Sequence, residues 1–330
     1  MHARTYRYGF RVLGDCRQPR RLVDFDRATS GYAACDERCE LERESYLSAF
    51  RFSDDFAAHL NGSGSTRRFD GPCWADRLWW DIDGEDDAGD ATLHAARRLA
   101  KSMVETLHVE GDDLLIFWSG RKGFHVGMAT AHWEPAPGRD FHRAARRFAE
   151  TVAETAGVVI DAGVYDRVRC WRAANSRHPK SGLHKRRLVF DELMRMPLAA
   201  IRKLAEWPEP FEPPAPRYAS EPAARLWAEC GEQVRRASEV KAQRAVKGRG
   251  ATRLNRQTLH FIREGATYPN RHRLLYSAAA NLAELGAPLA LCVALLEESA
   301  LDCGLPPADV RRAIENGFQS VAGAAPGEGA

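Results

Sequence analysis

The sequence has no apolar run near the roughly 18 to 20 residues that span a bilayer. The longest, APLALCVALL, reads as a buried helix. The opening MHARTYRYGFRVLG has neither an apolar h-region nor a small-residue cleavage site, so a soluble cytoplasmic protein is expected. G-x-x-x-x-G-K-[ST] occurs nowhere, which removes the main support for an ATPase or a helicase. Eight cysteines form no regular framework, so reduced thiols are expected. Cys35 and Cys39 make one C-x3-C pair, and Cys16 and Cys73 are the distant partners a zinc site there would need. Structural zinc sites usually show two close pairs, so zinc is the lesser reading.

Net charge is also small, +3 over 330 residues, but its distribution is uneven. Arg167 to Arg187 holds eight Lys or Arg and no acid, and Arg235 to Arg256 holds eight against Glu239 alone. Clustered cations in a near-neutral chain suit local polyanion contacts, although the second cluster reads equally as a solvated helix face.

Six prolines among Trp207 to Pro222 forbid a regular element, so a domain boundary or a stiff crossing strap is expected there. Before it, strand-like runs (DRLWWDID, DLLIFWSG, FHVGMA, GVVIDAGVY, KRRLVFD) alternate with amphipathic stretches, AGDATLHAARRLAKSMVETL and RDFHRAARRFAETVAETAG. That alternation indicates an α/β or α+β domain on a central sheet. After the strap the pattern is helical: a basic helix, then RQTLHFIREG, NRHRLLYSAAANLAELG, PLALCVALLEESALDCG and PPADVRRAIENGFQSV, and finally a Gly/Ala-rich tail expected to be disordered. The expected boundaries are 1–210 for the sheet domain, 211–254 for strap and connecting helix, 255–322 for a helical domain and 323–330 for the tail.

Three segments carry chemistry. In LWWDIDGEDD, Asp81 and Asp83 alternate along a strand, so their carboxylates share one face about 7 Å apart along the backbone. Two carboxylates so placed call for a divalent cation or a shifted pKa, whereas Glu85, Asp86 and Asp87 beyond Gly84 read as a solvated turn. In LLIFWSGRKGFHVGM, a Gly-flanked hairpin gathers Ser119, Arg121, Lys122 and His125, a set suited to a triphosphate. In VVIDAGVYDRVRCWRAANSRHPKSGLHKRRL, Asp161 ends a β-branched run and an acid-free basic stretch with Arg172, His178 and Lys180 lies beyond it, with Asp166 the second choice for the carboxylate.

In order and wording these segments resemble the three motifs of the archaeo-eukaryotic primase superfamily: D-x-D on an apolar strand, S-G-R-[RK]-G-x-H, and an Asp followed by basic residues ending in H-P-K-[ST]-G. The resemblance implies an α+β catalytic domain with a central mixed sheet flanked by helices and an RRM-like core. It implies Asp81, Asp83 and Asp161 as catalytic, metal-binding carboxylates for two divalent cations, Mg2+ or Mn2+. Ser119, Arg121, Lys122, His125, Arg172, His178 and Lys180 would then bind the nucleotide. The family's zinc knuckle has no counterpart between the first two motifs. FIREGATYPNRHRLLYSAAANLAELG with PPADVRRAIENGF is similar to the small helical domain behind the catalytic domain of plasmid, phage and mobile-element primases, where it is associated with initiation.

The resemblance therefore implies a DNA primase or primase-polymerase that makes primers de novo on single-stranded DNA from NTPs or dNTPs, releasing pyrophosphate. Arg177, Lys185, Arg186, Asn270 and Arg271 are its DNA-binding candidates, and a replicative helicase would be a separate chain. A gap-filling or end-joining polymerase of the same superfamily shares these motifs. A D-x-D glycosyltransferase has no need of His-Pro-Lys, and a non-catalytic replication initiator leaves three carboxylates without a purpose.

Overall fold

The computed structural model describes residues 2–84, 89–248, 254–267 and 269–322. The chain divides into two compact units, Met1–Arg235 and Arg236–Ala330. Glu85, Asp86 and Asp87 and the tail at 323–330 lie outside the described residues.

The first unit is α+β. After α1 (His2–Thr5), β1 (Tyr8–Leu13), β2 (Arg21–Asp24), α2 (Phe25–Ala34), β3 (Ser45–Ser48) and α3 (Asp54–Ser63) form the N-terminal part. β4 (Arg77–Ile82), α4 (Gly89–Leu107), β5 (Leu115–Trp118), β6 (Phe124–Ala129) and α5 (Phe141–Thr155) follow. β7 (Cys170–Arg172), β8 (Arg186–Leu188), α6 (Phe190–Arg195) and α7 (Leu198–Leu204) complete the order, and α8 (Glu221–Gly248) begins in this unit and runs past its boundary at Arg235. In place of one central mixed sheet there are two four-stranded sheets, ordered β2-β1-β3-β7 and β4-β6-β5-β8, and every pairing between these strands is antiparallel. The short turns that join β1 to β2 and β5 to β6 leave those two pairs no room for a parallel crossover.

β4 shows how the sequence sets the layers. Leu78, Trp80 and Ile82 are buried in the main core, while Arg77, Trp79 and Asp81 on the alternate face are half-buried. α5 offers that core Phe141, Ala144, Ala145, Phe148, Ala149 and Val152, a stripe at helical spacing. Phe148 stacks on Trp133 at 5.1 Å and tilts against Trp80 at 6.3 Å. β5 and β6 are buried at every position, as their unbroken apolar runs imply. On the open face of β4, Trp79 meets Trp171 of β7 at 5.5 Å, so aromatic rings join the two sheets.

GVVIDAGVY does not form a strand. Gly157 turns at φ 63°, and Ala162–Tyr165 is a 3-10 turn that Asp161 caps by accepting a hydrogen bond from the Gly163 amide at 2.8 Å. The proline-rich segment crosses the first unit as a strap without regular structure. The Phe211 amide bonds the Ala33 carbonyl, Arg77 reaches the Pro214 carbonyl, and the Ser220 amide meets the His132 carbonyl.

In the second unit α9 (Arg256–Glu264), α10 (Arg271–Glu284), α11 (Leu289–Asp302) and α12 (Pro307–Ala322) enclose a core of their own, including Phe261, Leu275, Leu282, Leu296 and Ile314. Asn255 caps α9 through the Thr258 amide. Gly317 lets α12 lie against α10: a Cβ there would stand 2.4 Å from the Tyr276 carbonyl oxygen. Among the described residues no helix is long and apolar enough to cross a membrane.

Candidate active site

The open end of β4, the β5–β6 turn and the stretch around β7 converge on one cavity of about 590 Å³. Asp81, Asp83, Ser119, Arg121, Lys122, His125, Arg172 and His178 all line it. Register explains the first contacts. Asp81 and His125 are directly paired across β4 and β6, and His125 Nε2 stands 3.4 Å from Asp81 Oδ1. The turn closes on itself: the Ser119 amide donates to the Gly123 carbonyl at 2.9 Å, and the Gly123 amide to Ser119 Oγ at 3.0 Å.

Both glycines of that turn are required. Gly120 takes φ 97°, where side chains are strained, and packs against His178 and the Leu183 carbonyl. Gly123 has no room for a Cβ, which would lie 2.4 Å from Asp83 Oδ1 and 2.9 Å from the Ile82 carbonyl oxygen. Lys122 Nζ donates to the Gly84 carbonyl, tying the cationic turn to the strand end that carries Asp83.

Electrostatics divide the cavity. Burial and the neighbouring Asp81 carboxylate raise the pKa of Asp83, against the pull of Lys122. Asp81 Oδ1 is buried with His125 Nε2 at 3.4 Å, a contact too poorly aligned to be a hydrogen bond. Burial, with Lys185 and Arg172 nearby, pushes His125 down to about 4, and its ring lies 4.2 Å from that of Trp171. Burial and Arg172 likewise bring His178 to about 4. Both imidazoles are therefore neutral near pH 7. His178 Nδ1 accepts from the Lys180 amide at 3.1 Å, which leaves Nε2 as its protonated, donating nitrogen.

Arg172 is fixed from below. Its Nη2 bonds Glu44 Oε1 at 3.2 Å and Tyr46 Oη at 2.9 Å, while Nη1 is buried without a partner. Lys185 lies deeper, 1% exposed, with Nζ donating to the Arg172 carbonyl at 2.8 Å. The faces of Phe117, Trp171 and Trp79 surround that ammonium at 4.7, 5.0 and 5.2 Å, and burial lowers its pKa well below the usual lysine value.

Asp161 stands beside the site: its amide donates to the Asp81 carbonyl at 3.0 Å and its carboxylate adds to the upward push on Asp83. That carboxylate is exposed, 3.9 Å from Arg169, with one oxygen held by its own turn, while Asp166 lines the cavity wall. Lys180 is exposed outside the lining, its amide serving His178. Of the expected DNA contacts, Lys185 is caged just before β8, and Arg186 is buried in β8 and paired with Glu209 of the strap. Arg177 is exposed and bonds Glu42 at 2.9 Å. In the second unit Asn270 and Arg271 line a separate cavity of about 750 Å³, where Arg271 donates to the Cys303 carbonyl at 2.6 Å.

Among the described residues no three or more His, Cys, Asp or Glu side chains gather as a metal-ligand group. Cys73 is buried in the core, Cys39 Sγ faces the Ala28 carbonyl, and Cys16 lies beside Cys170, so Cys16, Cys35, Cys39 and Cys73 are not assembled. Sequence reasoning assigned no cavity role to Cys16, Arg20, Glu44, Tyr46, Cys170 or Trp171; the alternation in ESYLS was the one available signal, and it spoke only of a strand.

No family model and no curated protein matches this sequence. One solved structure, described as the primase RepB', aligns over 98% of this chain and 97% of its own, at 13% identity and a TM-score of 0.36.

Proposed function

We propose that this chain is a DNA primase or primase-polymerase, joining nucleotides on a single-stranded DNA template with release of pyrophosphate. The observation that carries the reading is the cavity itself, where Asp81 of β4 and Asp83 just beyond the strand's end face a Gly-framed cationic turn and the Arg172–His178 pair. Those groups come from three segments far apart in sequence, and they complement a triphosphate with its cation.

The donor chemistry fits hard divalent cations. Asp81 Oδ1 is buried beside the poorly aligned His125 Nε2, and burial beside Asp81 disfavours the charged form of Asp83 despite Lys122 and Arg121. Asp81 and Asp83 would hold Mg2+ or Mn2+, with Asp161 or Asp166 completing the set. Such cations, when bound, neutralise developing charge and lower the pKa of an attacking 3′-hydroxyl. The chain's own residues do the rest. Arg121, Lys122 and Arg172 supply fixed positive charge for phosphate oxygens. His178 Nε2–H donates a neutral hydrogen bond, and His125, also neutral, contributes a hydrogen-bonding edge without repelling a cation beside Asp81.

The test is unprimed synthesis on single-stranded DNA with NTPs and dNTPs under each metal. Product is expected from the wild type, whereas Asp81→Ala and Asp83→Ala should lose incorporation and keep their circular dichroism spectrum. Incorporation retained in both variants would remove the carboxylate assignment. Extension of supplied primers with no de novo product would favour a gap-filling polymerase, and DNA binding with no product under any condition a replication initiator. His125→Ala should weaken nucleotide binding more than template binding.

A further inference from the structure

We propose that Cys16 and Cys170 form a thiol-modification site on the cavity wall, joined into a disulfide by a peroxide-class oxidant. They are far apart in sequence, yet their sulfurs stand 3.7 Å apart, with the Cys170 thiol donating to Cys16 Sγ. Both line the cavity.

Their carriers hold them there. Cys16 sits in the turn between β1 and β2, where Gly14 takes φ 92°, Asp15 Oδ1 accepts from the Arg17 amide at 2.8 Å, and the Gly14 amide bonds the Glu44 carbonyl at 2.7 Å. Cys170 is held in β7 by its pairing with Ser48 of β3. A disulfide needs sulfurs at about 2.05 Å, so the pair must close by less than 2 Å. Cys16 is exposed in this turn, whereas Cys170 is half-buried in its strand, so the approach falls to the Cys16 side.

The reactivity of the two thiols is unequal in the useful direction. The hydrogen bond from Cys170, aided by Tyr46 and Arg169 and opposed by burial and Glu44, brings Cys16 down to about 6. Cys16 is thus largely thiolate at neutral pH and exposed to solvent, the two conditions for oxidation. Its sulfur attacks the peroxide O–O bond and becomes a sulfenic acid as the other oxygen leaves and is protonated to water. Cys170 then gives up its proton and attacks that sulfur, forming the S–S bond and expelling the second water. Two thiols lose two electrons, and one peroxide becomes two waters.

The thiol chemistry does not rest on the primase reading. The experiment treats the full-length protein with limiting hydrogen peroxide, blocks remaining thiols and digests it with trypsin without reductant. Cleavage after Arg11, Arg17, Arg169 and Arg172 frees residues 12–17 and 170–172, each with one cysteine. The expected product is these two peptides linked, two hydrogens lighter than their sum. It should separate on reduction with dithiothreitol and be absent from Cys16→Ser and Cys170→Ser. Recovery of the two peptides unlinked, whether blocked or over-oxidised, would overturn the proposal, as would either peptide linked mainly to another cysteine. In untreated protein, Cys16 should alkylate at pH 7 several-fold faster than Cys170; equal rates would count against the asymmetry.

Discussion

Lys185 gives up its water for one carbonyl and three aromatic faces, yet its charge still acts on the cavity through His125. Lys185→Met should keep the stem packed and change stability by no more than about 1 kcal/mol, because removing a desolvated charge offsets the lost hydrogen bond. His125 should then titrate higher, which proton NMR of the imidazole would read; an unchanged titration would break the link between the two. His125 itself makes stability depend on pH. Its folded value, about 4, lies below the ordinary 6.5, so the unfolded chain binds the proton more readily between these values. The stabilisation is complete above about 6.5 and is lost as pH falls toward 4, with a magnitude of roughly 3 kcal/mol for so buried a group. Urea midpoints of wild type and His125→Gln should converge across that window as pH falls. Parallel curves would show that His125 is not the titrating group.

The β5–β6 turn is the element on which cavity geometry depends most. Gly123→Ala would press a methyl group on the Ile82 carbonyl and the Asp83 carboxylate, and the strand end can give only by moving both. A loss of 1 to 3 kcal/mol, of the order found for overpacking, should accompany reduced nucleotide affinity, measured by denaturant melts and titration of a fluorescent nucleotide. Wild-type values for both would mean the turn is softer than the packing implies. This turn was legible in the sequence because its glycines, cations and flanking apolar runs are contiguous, as were β4, α4, α5 and α9 to α12 from their periodicity. The 158–165 segment was not: its β-branched residues suggest a strand, but Gly157 and the Asp161 cap turn the backbone first. β7 was missed because three residues inside a basic stretch carry no period, although Trp171 and Arg172 there shape the cavity. Glu44 and Tyr46 stayed unread because their significance comes only from Arg172 across the sheet.

At the scale of the molecule there are two units, and among the described residues each has a large core of its own. Leu282→Ala in the second and Phe148→Ala in the first should each cost about 2 to 5 kcal/mol, and calorimetry should show each lowering a different transition. A single transition lowered by both would mean that the units melt together. The pairing that positions Arg172 has a consequence for how the protein is made. Its bond to Tyr46 spans 126 residues of sequence, whereas the turn from Ser119 to Gly123 closes locally. Long-range closure is slow relative to a hairpin. A chain leaving the ribosome would thus hold its carboxylates and its cationic turn before the arginine wall exists. If the cavity binds phosphate as proposed, the half-built cavity would bind it poorly until β7 docks on β3, so phosphate affinity would appear late in folding.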